Sequence, residues 1–338
     1  MPGPTPPIVL PRELNPPHLA TWAFDLPFPR PVPHPEHDRA VTDARTWVQR
    51  MGIVTTDEEL RRHDRMALAS WPGLNFPNAT GADLDLLCNW VCWWVVMDDR
   101  DDGEFIQDPR RVEEFYRRLI AVVAPDRQSG HPDLGADPMV EAFADIWRRW
   151  RQGMSPGWQA RTAENWAKLF EALIDECAGR RDGAVPSMDQ YLAIRDRSGE
   201  MALELDATER VGHYEVPQAV LDTPALASMR LSTIRAVNIS QDVQSLAKEE
   251  AIGDNLNMVL VLERERSLGR VDALCEVHRM IRVYTDDFLA HQATVPRVLD
   301  GLGLAPEDRL PVYRHIDDLG RLIVGNLVWC AAAERYRT

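Results

Sequence analysis

The sequence predicts an all-α protein: a single helical bundle domain behind a proline-rich arm. Three observations carry that reading. From residue 37 onward, apolar residues recur at helical spacing, and no stretch alternates strictly enough for a central strand. Glycine is sparse, 19 of 338 residues, which argues against a β-sandwich or a Gly-rich nucleotide fold. Twelve of the 25 prolines fall within the first 35 residues, so the helix-breaking residues are concentrated outside the body.

The arm, residues 1–36, includes the alternating series Pro27, Pro29, Pro31, Pro33, Pro35 and is expected to be extended and partly disordered. Phe24, Leu26 and Phe28 within it are candidates for an apolar strap against the body. The domain, 37–338, divides into helices near 38–51, 56–70, 82–100, 108–124, 138–152, 157–180, 188–208, 222–247, 254–266, 269–292, 307–320 and 321–334. Thr56 followed by Asp57, Glu58 and Glu59 reads as a cap with first-turn acids, and Pro109 and Pro156 sit near helix starts. No internal repeat or heptad array interrupts the pattern.

Acidic residues outnumber Lys and Arg 53 to 38, a net charge of −15, which argues against a nucleic-acid or anionic-membrane partner. Only Lys168 and Lys248 are lysines. No apolar run approaches the roughly 18 residues of a membrane span, and the N-terminus lacks a signal-peptide pattern, so a cytoplasmic location is expected. The five scattered cysteines read as reduced core thiols, and the Cys88/Cys92 pair lacks further ligands at zinc spacing.

Two polar clusters stand out. The first closes the helix near 82–100, where an apolar run ends in Asp98-Asp99-Arg100-Asp101-Asp102-Gly103-Glu104. Asp98 and Asp102 share a helix face with Asp99 alongside. Such a run is either a solvated helix end or a site for a hard cation such as Mg²⁺, which takes carboxylate oxygens and leaves positions for water and phosphate. An acidic helix C-terminus also opposes the helix dipole, at a cost of a few tenths of a kcal/mol. The second cluster puts Gln241, Ser245 and Glu249 at four-residue intervals, a stripe of amide, hydroxyl and carboxylate oxygens with Lys248 beside it. It reads either as a solvated face or as a second Mg²⁺ site whose lysine suits a phosphate.

Taken together and in order, these motifs resemble the class I terpene synthases of the bacterial type, over nearly everything from Phe24 to Arg337. Asp98, Asp99 and Asp102 match the family's DDxxD motif. Asp242, Ser245, Lys248 and Glu249 match its NDxxSxxKE motif. Arg195, Ser198 and Gly199 fall where the family carries a diphosphate-sensing Arg, a linker residue and a helix-break Gly. Asn326, Trp329, Arg335 and Tyr336 reproduce its C-terminal residues. One position departs: Gln241 replaces the usual Asn, keeping the amide oxygen but adding a methylene. A register starting at Asn238 fails, because it places Leu246 among the ligands.

The resemblance implies Mg²⁺-dependent ionisation of an isoprenyl diphosphate, farnesyl or geranylgeranyl, followed by carbocation cyclisation. It implies three Mg²⁺, held by Asp98, Asp99 and Asp102 and by Gln241, Ser245 and Glu249. It implies diphosphate donors in Arg195, Lys248, Arg335 and Tyr336. A pocket lined by Val91, Trp94, Val95, Asn326 and Trp329 is expected, since aromatic faces stabilise a passing cation by roughly 0.5–2 kcal/mol each. Trp90 and Trp93 are expected in the core. A homodimer is compatible with the sequence. Two alternatives stay open. A chain-elongating isoprenyl diphosphate synthase would need a second aspartate-rich motif, for which Asp286-Asp287 and Asp317-Asp318 lack the spacing. A helical homologue impaired by Gln241 is the other.

Overall fold

The computed structural model describes residues 8–9, 23–24, 26–101, 104–124 and 137–333. Asp102, Arg335, Tyr336 and most of the arm's first 25 residues lie outside the described residues, and with them the expected disorder of the arm's start. Helices dominate: α1 (His37–Arg50), α2 (Asp57–Met66), α3 (Ser70–Asn75), α4 (Gly81–Asp101), α5 (Pro109–Val123), α6 (Pro138–Trp150), α7 (Pro156–Arg181), α8 (Met188–Ser198), α9 (Met201–Gly212), α10 (Gln218–Leu221), α11 (Pro224–Ile252), α12 (Met258–Glu265), α13 (Arg270–Gln292), α14 (Val295–Gly301) and α15 (Pro306–Ala332). A 3₁₀ turn spans Glu104–Gln107. The only strand pairing among the described residues is antiparallel, β1 (Ile8–Val9) with β2 (Ala23–Phe24).

Helix starts follow local chemistry. Thr56 and Glu59 form a reciprocal capping box at α2, and Ser187 with Gln190 does the same at α8. Asp108, Asp137, Ser155 and Thr223 cap α5, α6, α7 and α11, each followed by a proline whose missing N–H needs no partner in the first turn. Behind α4 the largest side chains lock together. Trp90 meets Trp150 edge-on at 4.7 Å and Phe143 meets Trp166 at 4.8 Å, with Trp93 stacked on Phe143 at 5.0 Å. Trp90 and Trp93 are fully buried here.

Four boundaries differ from the sequence reading, each for a physical reason. The helix read over 56–70 splits, because Ala67 turns left-handed and ends α2 before α3 begins. The helix over 188–208 breaks at Gly199–Glu200. The helix ending near 247 continues to Ile252 and stops at Gly253, whose φ of +74° suits glycine. The two helices read over 307–334 are one, α15. Gly320 does not end a helix; it makes room for the arm, since a Cβ there would lie 2.5 Å from the Phe28 ring. Phe28 packs edge-on against Phe288 at 5.2 Å, and Leu26 is buried, so the described end of the arm straps across α13 and α15. Cys275 is exposed on α13, so only four of the five thiols are core residues.

Candidate active site

A cavity of about 110 Å³ lies among α3, α4, α7, α8, α9, α11 and α15. Val91, Trp94, Val95 and Asp98 come from α4, and Gln241, Ser245, Lys248 and Glu249 from α11. Arg195, Ser198 and Gly199 reach it from the end of α8, and Asn326 and Trp329 from α15. Periodicity explains the first two sets: positions three or four apart share a helix face, so one stripe of α4 and one of α11 both meet the cavity.

The two polar clusters converge. The Lys248 Nζ stands 3.8 Å from Asp98 Oδ2 and 4.0 Å from Asp99 Oδ1, bridging helices whose motifs are far apart in sequence. Asp99 also accepts from Arg62 Nη2 of α2 at 2.7 Å. Asp101 turns inward instead, takes a hydrogen bond from the Tyr116 hydroxyl, and is pushed up to about 7 by burial. Among the described residues no three acidic, histidine or cysteine side chains already converge on one point.

Asp242, inside the second motif, is not in the cavity wall. Its Oδ2 accepts from the Tyr191 hydroxyl and from the Met258 N–H, the latter at 2.6 Å, and its Oδ1 faces Arg195 Nη2 at 3.8 Å. It ties α11 to α8 and α12 and faces Arg195. Burial works against the Arg195 charge, yet the Asp242 carboxylate beside it holds the guanidinium above its ordinary range. Glu249, which accepts from Asn257 Nδ2 at 2.7 Å, has its carboxyl pushed up by burial and by Asp242. Ser245 Oγ donates to the Gln241 carbonyl at 3.1 Å.

The break between α8 and α9 is built around Gly199. A Cβ there would lie 2.5 Å from Asn238 Oδ1 and 2.7 Å from the Arg195 carbonyl. Asn238 Nδ2 donates to that carbonyl at 2.9 Å, so this asparagine clamps the break rather than facing the cavity. Glu200 follows at φ +64°, a left-handed conformation uncommon outside glycine, which turns the chain into α9.

Several lining residues were not singled out from sequence. Trp71, Leu173, Glu176, Arg180, Glu200 and Glu204 all face the cavity. Arg180 pairs with Glu176 at 2.7 Å and with Asp254 at 2.8 Å, adding a third cation to the wall that carries Arg195 and Lys248. Glu204 carried a usable signal, a lone acid between Leu203 and Leu205. Asp286, Asp287, Asp317 and Asp318 lie outside the cavity wall; Asp287 accepts from Ser232 and Asp318 from Tyr214.

Residues 89–287 match the family model described as terpene synthase family 2, C-terminal metal binding. The chain belongs to terpene synthase family 2. Pentalenene synthase of Streptomyces avermitilis is 34% identical over 315 residues, 93% of this chain and 92% of that protein. The (−)-β-caryophyllene synthase of Saccharothrix espanaensis, named as cyclising (2E,6E)-farnesyl diphosphate, is 31% identical and covers 93% of this chain and 88% of its own. Germacradien-4-ol synthase from Streptomyces citricolor superposes with a TM-score of 0.79 at 28% identity, covering 91% of this chain and 97% of that one. The all-helical class I architecture and the terpene synthase class follow from these relations, and no described helix is long and apolar enough to cross a membrane.

Proposed function

We propose that this terpene synthase ionises farnesyl diphosphate with Mg²⁺ and cyclises the resulting carbocation, releasing diphosphate. The observation that carries this reading is the approach of Lys248 to Asp98 at the rim of an aromatic cavity. The (−)-β-caryophyllene synthase, a relative named for farnesyl diphosphate, supports the C15 choice.

The donor set fits Mg²⁺. Asp98 and Asp99 offer carboxylate oxygens from the end of α4, Asp102 follows them in sequence, and Gln241, Ser245 and Glu249 offer amide, hydroxyl and carboxylate oxygens from α11. Asp242 is excluded from that set because Tyr191, Met258 and Arg195 occupy it. Bound there, the three Mg²⁺ would supply the positive charge that takes up the diphosphate as its bond to carbon breaks. Arg195, Lys248 and Arg180 add fixed donors on the same rim, and Arg335 and Tyr336 complete the set of diphosphate donors. Arg195 reads the diphosphate and is held ready by Asp242, and Gly199 admits the Asn238 side chain that fixes the break beside it. Trp71, Trp94 and Trp329 shield the cation from water and present π faces to it.

Incubation with C10, C15 and C20 diphosphates plus Mg²⁺, followed by gas chromatography of the extract, tests this reading. A cyclic hydrocarbon or alcohol from the C15 substrate supports it. A longer prenyl diphosphate would move the protein to chain elongation, and no turnover with any substrate would identify a homologue disabled at Gln241.

A further inference from the structure

The cavity wall contains a carboxyl that the ionisation step does not use. Glu204, in the first turn of α9, is 5% exposed and faces the cavity together with Trp71, Val91, Val237 and Trp329. Its Oε2 accepts from Asn326 Nδ2 at 2.8 Å, and Asn326 Oδ1 in turn accepts from Trp71 Nε1 at 2.8 Å. That relay fixes the asparagine flip and aims its amide donor at the carboxyl. Among the described residues Asn326 is its only hydrogen-bond donor, and no Arg or Lys pairs with it. Glu200, one turn before it, is a second carboxyl on the same wall.

We propose that Glu204 is a proton donor and acceptor for the hydrocarbon itself, protonating a neutral olefin formed part-way through the reaction. The proposal rests on the cyclase reading of this cavity and adds a step to it. After ionisation and a first ring closure, the cation loses a proton to the departing diphosphate and leaves a neutral cyclic olefin. The Glu204 carboxyl then gives its proton to a C=C bond. One carbon gains the C–H bond, its neighbour becomes cationic, and Glu204 becomes a carboxylate. Loss of a different proton from the second cation to Glu204 forms the final C=C bond and restores the acid. No oxidant or further reactant is needed, and substrate yields product plus hydrogen diphosphate.

Two physical features suit the carboxyl to this work. Burial, opposed only by the Asn326 hydrogen bond, raises Glu204 to about 8, so at neutral pH it stands as the proton-bearing acid. While it holds its proton the carboxyl is also a poor nucleophile, so it does not trap the first cation as an ester. Asp242 differs in place: it faces the Arg195 guanidinium and lies outside the cavity wall, so it meets no hydrocarbon.

Turnover of farnesyl diphosphate in D₂O, with the product read by mass spectrometry, tests the step. The Glu204 carboxyl exchanges its proton with solvent once product has left, so the wild type is expected to deliver one deuterium at a carbon position in most product molecules. Glu204→Gln is expected to release diphosphate but to accumulate an undeuterated olefin with fewer rings. Asn326→Leu, which keeps the acid but removes its only donor, is expected to lower the deuterated fraction at least threefold and covers the case in which the Gln variant fails to fold. A cyclic terpene without deuterium from the wild type overturns the assignment while leaving the cyclase reading intact. Undiminished deuterium in Glu204→Gln, or an unchanged fraction in Asn326→Leu, also overturns it. Absence of any cyclic terpene from the wild type removes both.

Discussion

The rim and the far end of the cavity solve opposite electrostatic problems with the same residue type. At the rim, Asp98 keeps 36% of its side chain exposed and Lys248 keeps 24%, and Asp98 and Asp99 have the Lys248 ammonium within 4.0 Å. At the far end, Glu204 and Asn326 are each 5% exposed, with an amide in place of a cation. A carboxylate with a cationic partner and some water stays charged and is ready for a metal and a diphosphate. A carboxyl walled by Trp and Val keeps its proton. The difference teaches that position within one cavity separates a leaving-group site from a hydrocarbon site.

The largest expected effect comes from disturbing the buried pair that supports the rim. Asp242→Ala strands Arg195, the Tyr191 hydroxyl and the Met258 amide, and removing one partner of a buried ion pair costs about 4 kcal/mol. A thermal or urea unfolding curve reads that loss directly; a change below about 1 kcal/mol would mean the two charges do not support one another. Asp98→Ala is expected to slow diphosphate release at least a hundredfold, roughly 2.7 kcal/mol of barrier, with little change in melting temperature. Activity above a tenth of wild type would remove Asp98 from the metal set.

The far end is probed by pH. Glu204 binds its proton more tightly in the folded state, at about 8, than in the unfolded chain, at 4.5. The stability tied to that proton is complete below pH 4.5, declines as the pH rises, and is lost once the pH passes about 8. Glu204→Gln carries no such proton, so its stability relative to wild type is expected to rise between about pH 5 and 8, by on the order of 2 kcal/mol. Parallel melting temperatures for the two proteins across that range would contradict a buried acid. Gly199→Ala forces a Cβ against Asn238 and the Arg195 carbonyl, and a loss of about tenfold in turnover is expected, with Arg195 misaimed. Gln241→Asn sharpens the rim least: steady-state turnover within about threefold of wild type fits a ligating amide at this position, whereas a dead variant would show a rim shaped around the longer side chain.

Much of this was legible in the sequence because it is local. Ser155-Pro156, Thr223-Pro224 and the Thr56–Glu59 box mark helix starts by satisfying end groups within a few residues, and the α11 stripe follows from helical spacing alone. Glycine was ambiguous. Gly253 ends a helix by its positive φ, whereas Gly320 sits mid-helix to admit Phe28, and only tertiary packing tells the two apart. The same limit hid Arg180 and left Glu204 marked only by its place between two leucines. Their helices α7 and α9 carry no metal motif, and their approach to the cavity is set by how those helices pack.

On the proposed reading, α4 and α11 together form one Mg²⁺-dependent diphosphate site. Calorimetric titration with inorganic diphosphate, with and without Mg²⁺, on wild type, Asp98→Ala and Glu249→Ala, tests it most directly. Binding that requires Mg²⁺ and disappears in both variants is the predicted result. Binding that persists without Mg²⁺, or survives in either variant, would contradict it.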